Sequence, residues 1–286
     1  MDQGASKTAA LVAAYRGRAS ARSDRICDDP WAAELAGEEG RDFARRLDEG
    51  FPHGELWLAV RTAFIDAAIR RLTREDPSGT ADPPPVRQVV ILGAGLDTRA
   101  ARLSRAGIRY FEVDRSESQD DKLRKLADIE GYPKDAATYV PCNFEHQDFL
   151  DRLIVAGFVP DEPSVIVWEG VTYYLGEDTV RSTMRRIAEG CHPRTVVIFD
   201  YVQKKLISAD LKDEKDLATR DVVNDFGEPL RWGIDDVLPL LYTEGFRHVR
   251  VTSFDEACLS LTGTYERERK FRFQHLCMAS RTVADW

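Results

Sequence analysis

The fold of this chain is decided by the stretch Val89-Val90-Ile91-Leu92-Gly93-Ala94-Gly95-Leu96-Asp97-Thr98-Arg99. Its four leading apolar residues are typical of a buried parallel strand. The strand ends at two glycines, and a helical pattern begins near Asp97. Glycines let the backbone approach a ligand closely, and the start of a helix offers unpaired N–H groups. The stretch therefore predicts a cradle for a small molecule.

A second strand motif, Tyr110-Phe111-Glu112-Val113-Asp114, follows the cradle and ends in a carboxylate. In folds that alternate strands and helices, an acidic residue about 20 positions after the glycines binds ribose hydroxyls. We therefore predict that Gly93 and Gly95 give a nucleoside access to the backbone, and that Asp114 accepts hydrogen bonds from its ribose.

The residues after the second glycine distinguish between nucleotide ligands. The dinucleotide fingerprint places a third small residue three positions after that glycine, where this chain has Thr98. The Asp97 carboxylate would repel a pyrophosphate, but it suits a ligand with an ammonium or sulfonium group. S-adenosylmethionine has both groups and no phosphate, so it is favoured over a nicotinamide dinucleotide. The alternative for Asp97 is a simple helix cap.

These motifs, together with Trp168-Glu169-Gly170-Val171-Thr172-Tyr173-Tyr174-Leu175, resemble the leucine carboxyl methyltransferase family. Three further segments are similar to its bacterial branch, some of whose members act in polyketide pathways: Ser6-Lys7-Thr8-Ala9, Asp28-Asp29-Pro30-Trp31-Ala32 and Gly227-Glu228-Pro229-Leu230-Arg231-Trp232-Gly233. The resemblance runs from about residue 6 to about residue 280. It implies S-adenosylmethionine as the cofactor and transfer of its methyl group to oxygen.

Composition narrows the class of protein. The 286 residues are 43% hydrophobic, enough for one large domain or a domain with a lid. The net charge of −9 offers no broad attraction for nucleic acid. We find no membrane-spanning apolar run and no hydrophobic centre of a signal peptide. The five cysteines lack CxxC spacing, which favours a reducing compartment and argues against zinc. We expect a cytoplasmic protein without metal, nucleic acid or membrane partners, and homo-oligomerisation stays open.

The order of predicted elements indicates an α/β fold. Residues 1–80 are predicted as an N-terminal helical lid and residues 86–286 as the core. A loop over 76–85 marks the boundary between them. Strands are predicted near 88–93, 108–114, 137–141, 164–169, 195–200, 247–253 and 271–279, and core helices near 97–106, 117–130, 146–156, 177–190 and 234–243. Such alternation favours a mostly parallel sheet. The last two strands lack a helical pattern between them and are expected to pair antiparallel. With the resemblance, this predicts a Rossmann-like class I methyltransferase core with seven strands, the last antiparallel.

Residues 201–232 interrupt the alternation with a charged segment after the fifth predicted strand. An insertion there lies at the carboxyl edge of the sheet, where ligands bind. We interpret it as a lid over the substrate, acting with the N-terminal helices. The alternative is a surface insertion with no role.

The resemblance assigns further cofactor-binding residues. Glu169, at the end of the fourth predicted strand, corresponds to the family's glutamate that faces the methionine amino group, although an internal salt bridge is its alternative role. Arg61 matches the arginine that binds the cofactor carboxylate, and Lys7 is a weaker candidate for the same task. At the adenine, Asn143 and Phe144 stand where the family has Asp-Leu. An Asn carbonyl can accept from the adenine amino group, and Phe can pack on the ring.

The sequence says least about the residues that bind the methyl acceptor. Tyr173 and Tyr174 are candidates for positioning, and Tyr173, Tyr201, Arg231 and Trp232 for the substrate pocket; no catalytic residue is assigned. A carboxylate acceptor needs no general base, whereas a hydroxyl does. Of the five histidines only His53 falls in the predicted lid, where it is a candidate base, and we interpret it as a loop histidine instead. We therefore expect methylation of a carboxylate on a small-molecule acceptor, such as a polyketide-like acid. Alternatives are a phenolic O-methyltransferase, a non-catalytic S-adenosylmethionine-binding protein and a nicotinamide oxidoreductase.

Overall fold

A seven-stranded sheet organises the molecule. The computed structural model describes residues 7–50, 53–74, 85–144, 146–208, 229–263 and 273–284. The strands are β1 Gln88–Leu92, β2 Arg109–Asp114, β3 Thr138–Pro141, β4 Ser164–Trp168, β5 Val196–Val202, β6 His248–Ser253 and β7 Gln274–Ser280. Their order is β3-β2-β1-β4-β5-β7-β6, and only β7 runs antiparallel to its neighbours β5 and β6. The predicted mostly parallel sheet with an antiparallel last strand is confirmed.

Helices cover both faces of the sheet. They are α1 Lys7–Ser20, α2 Ala32–Gly50, α3 Gly54–Leu72, α4 Arg99–Arg102, α5 Ser116–Ala127, α6 Phe149–Val155, α7 Glu177–Gly190, α8 Leu238–Thr243 and α9 Phe254–Thr262. Short 3₁₀ turns span Lys134–Ala136, Thr172–Tyr174 and Lys204–Ile207. Among the described residues, no helix combines the length and the apolar character needed to cross a membrane.

The central strands are buried on both faces, which explains their continuous apolar runs. In β1 the side chains of Val90 and Leu92 join a core cluster with Trp168 of β4. Val89 lies in a second cluster, together with Ile65 and Ile69 of α3. Helix α3, which the sequence groups with the lid, therefore packs on the sheet.

Two expectations about helices are wrong. Helix α4 occupies only Arg99–Arg102, so Asp97 precedes it and Thr98 is its N-cap. The segment between β6 and β7, expected to contain no helix, forms α9. Its start is fixed by a capping box, in which the Ser253 hydroxyl accepts from the Glu256 N–H and the Glu256 carboxylate accepts from the Ser253 N–H. The capping box therefore marks the start of α9, a helix of nine residues that is too short to be recognised from its apolar periodicity.

Helices α1 and α2 pack closely on one another beside the sheet. Gly17 of α1 permits this contact, since a Cβ there would lie 2.7 Å from the Ala33 backbone nitrogen. The loop predicted over 76–85 falls almost entirely outside the described residues, as do 209–228 of the predicted insertion. The described chain returns towards the carboxyl edge of the sheet, where the Arg231 N–H donates to the Tyr173 carbonyl at 2.7 Å.

Candidate cofactor and acceptor site

A cavity of about 380 Å³ opens at the carboxyl ends of β1, β2 and β4. Helix α1 forms one wall through Thr8, Ala9, Val12 and Arg16. The remaining walls are formed by Arg61, Ile91, Gly93 to Asp97, Asp114, Arg115, Ser118, Asn143, Phe144, Glu169 to Val171, Tyr174, Leu175, Pro229 and Arg231. Most residues predicted to bind the cofactor are thus brought together at one edge of the sheet, where ligands of this fold class bind.

The glycine turn joins β1 to α4 with left-handed backbone angles, φ +67° at Gly93 and +49° at Gly95. A Cβ at Gly93 would lie 2.5 Å from Val171 Cγ2, so only glycine fits. The Gly95 N–H donates to Asp114 Oδ2 at 2.6 Å, and the Arg115 N–H donates to Oδ1 at 2.7 Å. Burial raises the pKa of Asp114, and the two N–H groups oppose that rise. Each carboxylate oxygen retains a lone pair that can accept from a ribose hydroxyl.

The Asp97 carboxylate lines the cavity and also binds the first residue of α4, Arg99. Its Oδ1 accepts from the Arg99 N–H at 2.6 Å, and its Oδ2 pairs with the Arg99 guanidinium. Burial alone would raise the pKa of Asp97, but Arg99 and the neighbouring cations lower it to about 2. Asp97 is therefore not the N-cap of α4, but its carboxylate accepts from the N–H of the first residue of the helix and also adds a charge to the cavity wall.

Glu169, directly after β4, is held between two arginines. Arg61 Nε lies 2.7 Å from its Oε1, and Arg99 Nη1 lies 2.5 Å from its Oε2. Burial would raise its pKa, but Arg99 and Arg61 lower it. Arg61 also donates from Nη1 to Asp200 Oδ2 at 3.0 Å and to the Tyr173 hydroxyl at 3.2 Å. The internal salt bridge considered for Glu169 is thus present, and both Glu169 and Arg61 still line the cavity.

These pairs belong to one continuous set of buried charges, which we call the buried ion network. Asp29 pairs with Arg16 and Arg102, Asp66 with Arg102 and Arg99, Arg99 with Asp97 and Glu169, and Arg61 with Glu169 and Asp200. Each of these side chains is at most 9% exposed. Sequence reasoning missed Arg16, Asp66, Arg102 and Asp200 and gave Arg99 no role. The signals available were the Asp28-Asp29-Pro30 segment and the arginine that ends the cradle motif.

Asn143 and Phe144 lie at the predicted adenine end, on the cavity wall after β3. The Asn143 N–H donates to Gln147 Oε1 at 2.9 Å, which holds this turn. The Phe144 ring lies 6.1 Å from the ring of Phe149 on α6. Phe144 therefore places an apolar ring on the cavity wall, and the Phe149 ring lies next to it.

The acceptor candidates separate into two groups. Tyr174 and Arg231 line the cavity, and the buried Tyr173 reaches its edge through the hydrogen bond to Arg61. Burial raises the pKa of Tyr173 well above its usual value. Tyr201 and Trp232 lie in the hydrophobic core instead, and Tyr201 stacks on His275 at 5.2 Å. The structure therefore does not bring Tyr201 and Trp232 to the cavity wall, because β5 and the chain after Arg231 turn these rings inward.

Two remaining candidates also lie away from the cavity. Lys7 is exposed at the start of α1, with Nζ 5.8 Å from the centre of the Phe43 ring. His53 lies in the turn before α3 and lines a separate groove with Arg22 and Glu55. Within the described part of the chain, no histidine lines the cavity.

The cavity fits an adenosyl sulfonium ligand. Its volume lies in the range of small-molecule sites. The open cradle at Gly95, the Asp114 carboxylate beside it and the Phe144 ring match a nucleoside. Asp97 and Glu169, both kept ionised, match the cationic part of the ligand.

Comparisons with known proteins agree with this geometry. Residues 9–188 match a family model described as "Leucine carboxyl methyltransferase". A Mycolicibacterium gilvum protein named "Putative S-adenosyl-L-methionine-dependent methyltransferase" is 30% identical over 277 residues, which cover 93% of this chain and 85% of that protein. The predicted family and the predicted cofactor, S-adenosylmethionine, are confirmed, and the nicotinamide oxidoreductase finds no support.

Solved structures share the fold. A DUF574 family protein from Streptomyces avermitilis aligns with a TM-score of 0.61 at 11% identity, covering 94% of this chain and 97% of its own. A "putative methyltransferase" from Thermobifida fusca aligns with a TM-score of 0.57 at 12% identity, covering 95% and 94%. Since the family model spans more than half of the sequence, this chain belongs to the leucine carboxyl methyltransferase family, whose cofactor is S-adenosylmethionine.

Proposed function

We propose that this protein is a carboxyl O-methyltransferase that converts a small-molecule acid into its methyl ester. The observation that carries the proposal is that arginines hold Asp97 and Glu169 on the cavity wall in close ion pairs. Arginines lower the pKa of Asp97 to about 2 and lower that of Glu169, so neither carboxylate is a useful base at neutral pH. With no histidine among the described lining residues, the site suits an acceptor that is already ionised.

The reaction balances without a proton transfer. S-adenosylmethionine, when bound, supplies a methyl group on a positively charged sulfur. An acceptor carboxylate oxygen forms a bond to the methyl carbon, the carbon–sulfur bond breaks, and its electron pair stays on sulfur. The products are a methyl ester and S-adenosylhomocysteine. The protein has to align the two reactants and exclude water, and no general base is required.

The residues of this chain divide the binding task. Asp114 would hold the ribose, while Asn143 and Phe144 would hold the adenine. Glu169 and Asp97 would face the ammonium and sulfonium groups, and Arg61 would bind the cofactor carboxylate from beside Glu169. Helix α1 would cover the reactants from the side opposite the sheet and exclude water.

The acceptor would bind at the other end of the cavity. Val171, Leu175 and Pro229 make this wall apolar, and Tyr174 adds an aromatic face. The exposed Arg231 contributes a guanidinium, which binds a carboxylate in bidentate geometry. An apolar organic acid of the polyketide type matches this combination of an aromatic wall and one cation.

The experiment is methyl transfer from radiolabelled S-adenosylmethionine to a panel of small acids and matched phenols. We expect label on acids only, released as volatile methanol by base. Arg231→Gln should raise the KM for the acid about tenfold with little change in the donor Kd. Arg115→Gln, which removes the exposed arginine beside Asp114, is the matched control and should leave that KM unchanged. Base-stable label on phenols would identify an ether-forming enzyme, and donor binding without any turnover would favour a binding protein.

A further inference from the structure

The buried ion network does not balance its own charge. Over the described part of the chain it contains four arginines (Arg16, Arg61, Arg99 and Arg102) and five carboxylates (Asp29, Asp66, Asp97, Glu169 and Asp200). Its formal charge is therefore −1. Burial raises the pKa of Asp200, but the Gly170 N–H, Arg61 and the Gln274 amide all donate to its oxygens. These three donors favour the charged carboxylate, so Asp200 is counted as ionised.

Among the residues that the structure describes, the neighbouring charges do not cancel this excess. Lys122 and Glu112 form a buried pair that is neutral as a unit. Asp114 adds a further carboxylate to the same cavity. Arg115 and Arg231 line the cavity but are exposed to solvent, which screens their charge. An uncompensated charge in a buried site is costly, and a ligand of opposite charge removes that cost.

We propose that the excess negative charge of the buried ion network makes this protein select the methyl donor over the spent product. The inference rests on the cofactor site described under the proposed function. S-adenosylmethionine carries an ammonium, a sulfonium and a carboxylate, and therefore a net charge of +1. S-adenosylhomocysteine has lost the sulfonium charge and is neutral overall. The donor neutralises the network, and the product leaves it at −1, so the product binds more weakly.

The outer members of the network make the idea testable. Asp66 on α3 and Arg102 on α4 are not among the residues that line the cavity, and they pair with each other. A change at either residue alters the network's charge without removing a group that touches the ligand. Because Coulomb energy depends on charge, Asp66→Asn and Arg102→Gln should shift ligand preference in opposite directions.

The experiment measures the Kd of S-adenosylmethionine, S-adenosylhomocysteine and sinefungin by calorimetry at neutral pH. Sinefungin replaces the methylated sulfur by a carbon that bears an ammonium group, so its net charge equals that of the donor. The full-length protein should bind both cationic ligands more tightly than S-adenosylhomocysteine. Asp66→Asn should reduce the product-to-donor Kd ratio about three- to tenfold, and Arg102→Gln should raise it by a similar factor.

The double variant Asp66→Asn/Arg102→Gln restores the formal charge of −1 and should restore the ratio. A merely structural defect would weaken all three ligands together and leave the ratio unchanged. Glu162, which precedes β4, forms an exposed pair with Arg109. Glu162→Gln is therefore the remote control and should leave the Kd of all three ligands unchanged.

Two results would overturn the proposal. The first is that the full-length protein binds S-adenosylhomocysteine as tightly as S-adenosylmethionine, or more tightly. This test needs no variant and therefore does not depend on whether a variant folds. Ratios that stay constant across the single variants contradict it as well. If none of the three ligands binds the full-length protein, the cofactor site itself is wrong, and the proposed function fails with it.

Discussion

Asp114 and Asp97 differ in how far their roles follow from sequence position. Asp114 ends a strand, and its carboxylate accepts from the Gly95 and Arg115 backbone N–H groups, which do not depend on the side chains of those residues. The surroundings of Asp97 depend on particular side chains, above all the Arg99 guanidinium. A carboxylate bound by backbone groups can therefore be predicted from its position, whereas one bound by side chains depends on the assembled site.

Asp114→Ala should weaken donor binding at least tenfold, because it removes the acceptor for the ribose and leaves the Gly95 N–H without its partner. Calorimetry with S-adenosylmethionine measures the effect, and circular dichroism verifies that the variant is folded. Asp151→Ala, at an exposed position on α6, is the control. Unchanged affinity in a folded Asp114→Ala protein would contradict this role.

Arg61→Ala should both raise the donor Kd and destabilise the protein by about 3 kcal/mol, because Glu169 and Asp200 lose their shared cation inside the protein. Urea denaturation measures the free energy of unfolding. Arg25→Ala is the matched control, since its pair with Asp28 is more than half exposed and should contribute less than about 1 kcal/mol. An effect of Arg61→Ala on the acceptor alone would place Arg61 in the acceptor site.

The rate at saturating donor and acceptor should be independent of pH between about pH 6 and pH 9. Asp97, with its pKa near 2, and Glu169, with a lowered pKa, stay ionised throughout this range. Tyr173 stays protonated because burial raises its pKa well above the usual value. A kcat profile measured over this range tests the point. An acidic limb with a midpoint near pH 7 would reveal a general base and favour a hydroxyl acceptor.

At the scale of elements, the cradle is defined by how β1 ends. The left-handed angles at Gly93 and Gly95 turn the chain sharply, and Val171 packs where a Gly93 side chain would stand. The turn therefore depends both on a local glycine preference and on the chain that follows β4. Helix α9 shows the opposite case, since its capping box lies within its own first residues.

Gly93→Ala should lower the free energy of unfolding by about 1–3 kcal/mol, because it combines a positive φ with a clash against Val171. Donor affinity should fall too, since relief of the clash moves the cradle. Gly176→Ala is the matched control, because Gly176 has φ −72° and nothing within 4 Å of an added Cβ. Equal stability of the two variants, measured by urea denaturation, would contradict this explanation.

At the scale of the whole molecule, the buried ion network ties the N-terminal helices to the sheet. Arg16 of α1 pairs with Asp29 and also donates to the Leu96 carbonyl at 2.6 Å. Asp66 of α3 binds both arginines of α4 that belong to the network, Arg99 and Arg102. Because α1 also walls the cavity, we expect cofactor binding and the docking of α1 to be coupled.

Binding of S-adenosylmethionine should slow amide hydrogen exchange in α1 and in residues 93–97 together, because one ligand would contact both. Mass spectrometry of exchange with and without the donor measures this. Residues 238–253 of α8 and β6 contribute nothing to the cavity wall and serve as the internal control. Protection of 93–97 with no change in α1 would show that α1 does not cover the ligand.

The sequence by itself determined the order of the strands along the chain, the cradle at Gly93 and Gly95, the carboxylate of Asp114, the family and its cofactor. Each of these depends on local periodicity, on turn chemistry or on a contiguous motif. Local pattern also has limits, as the short α9 and the truncated α4 demonstrate.

Only the tertiary structure decided which charges share the site. The buried ion network joins residues from Arg16 to Asp200, and no periodic pattern relates them. The tertiary structure also places Tyr201 and Trp232 in the core and Arg231 at the cavity. The physical reason is that ion pairs and ring packing depend on distances between elements remote in sequence, which are fixed only when helices and sheet assemble.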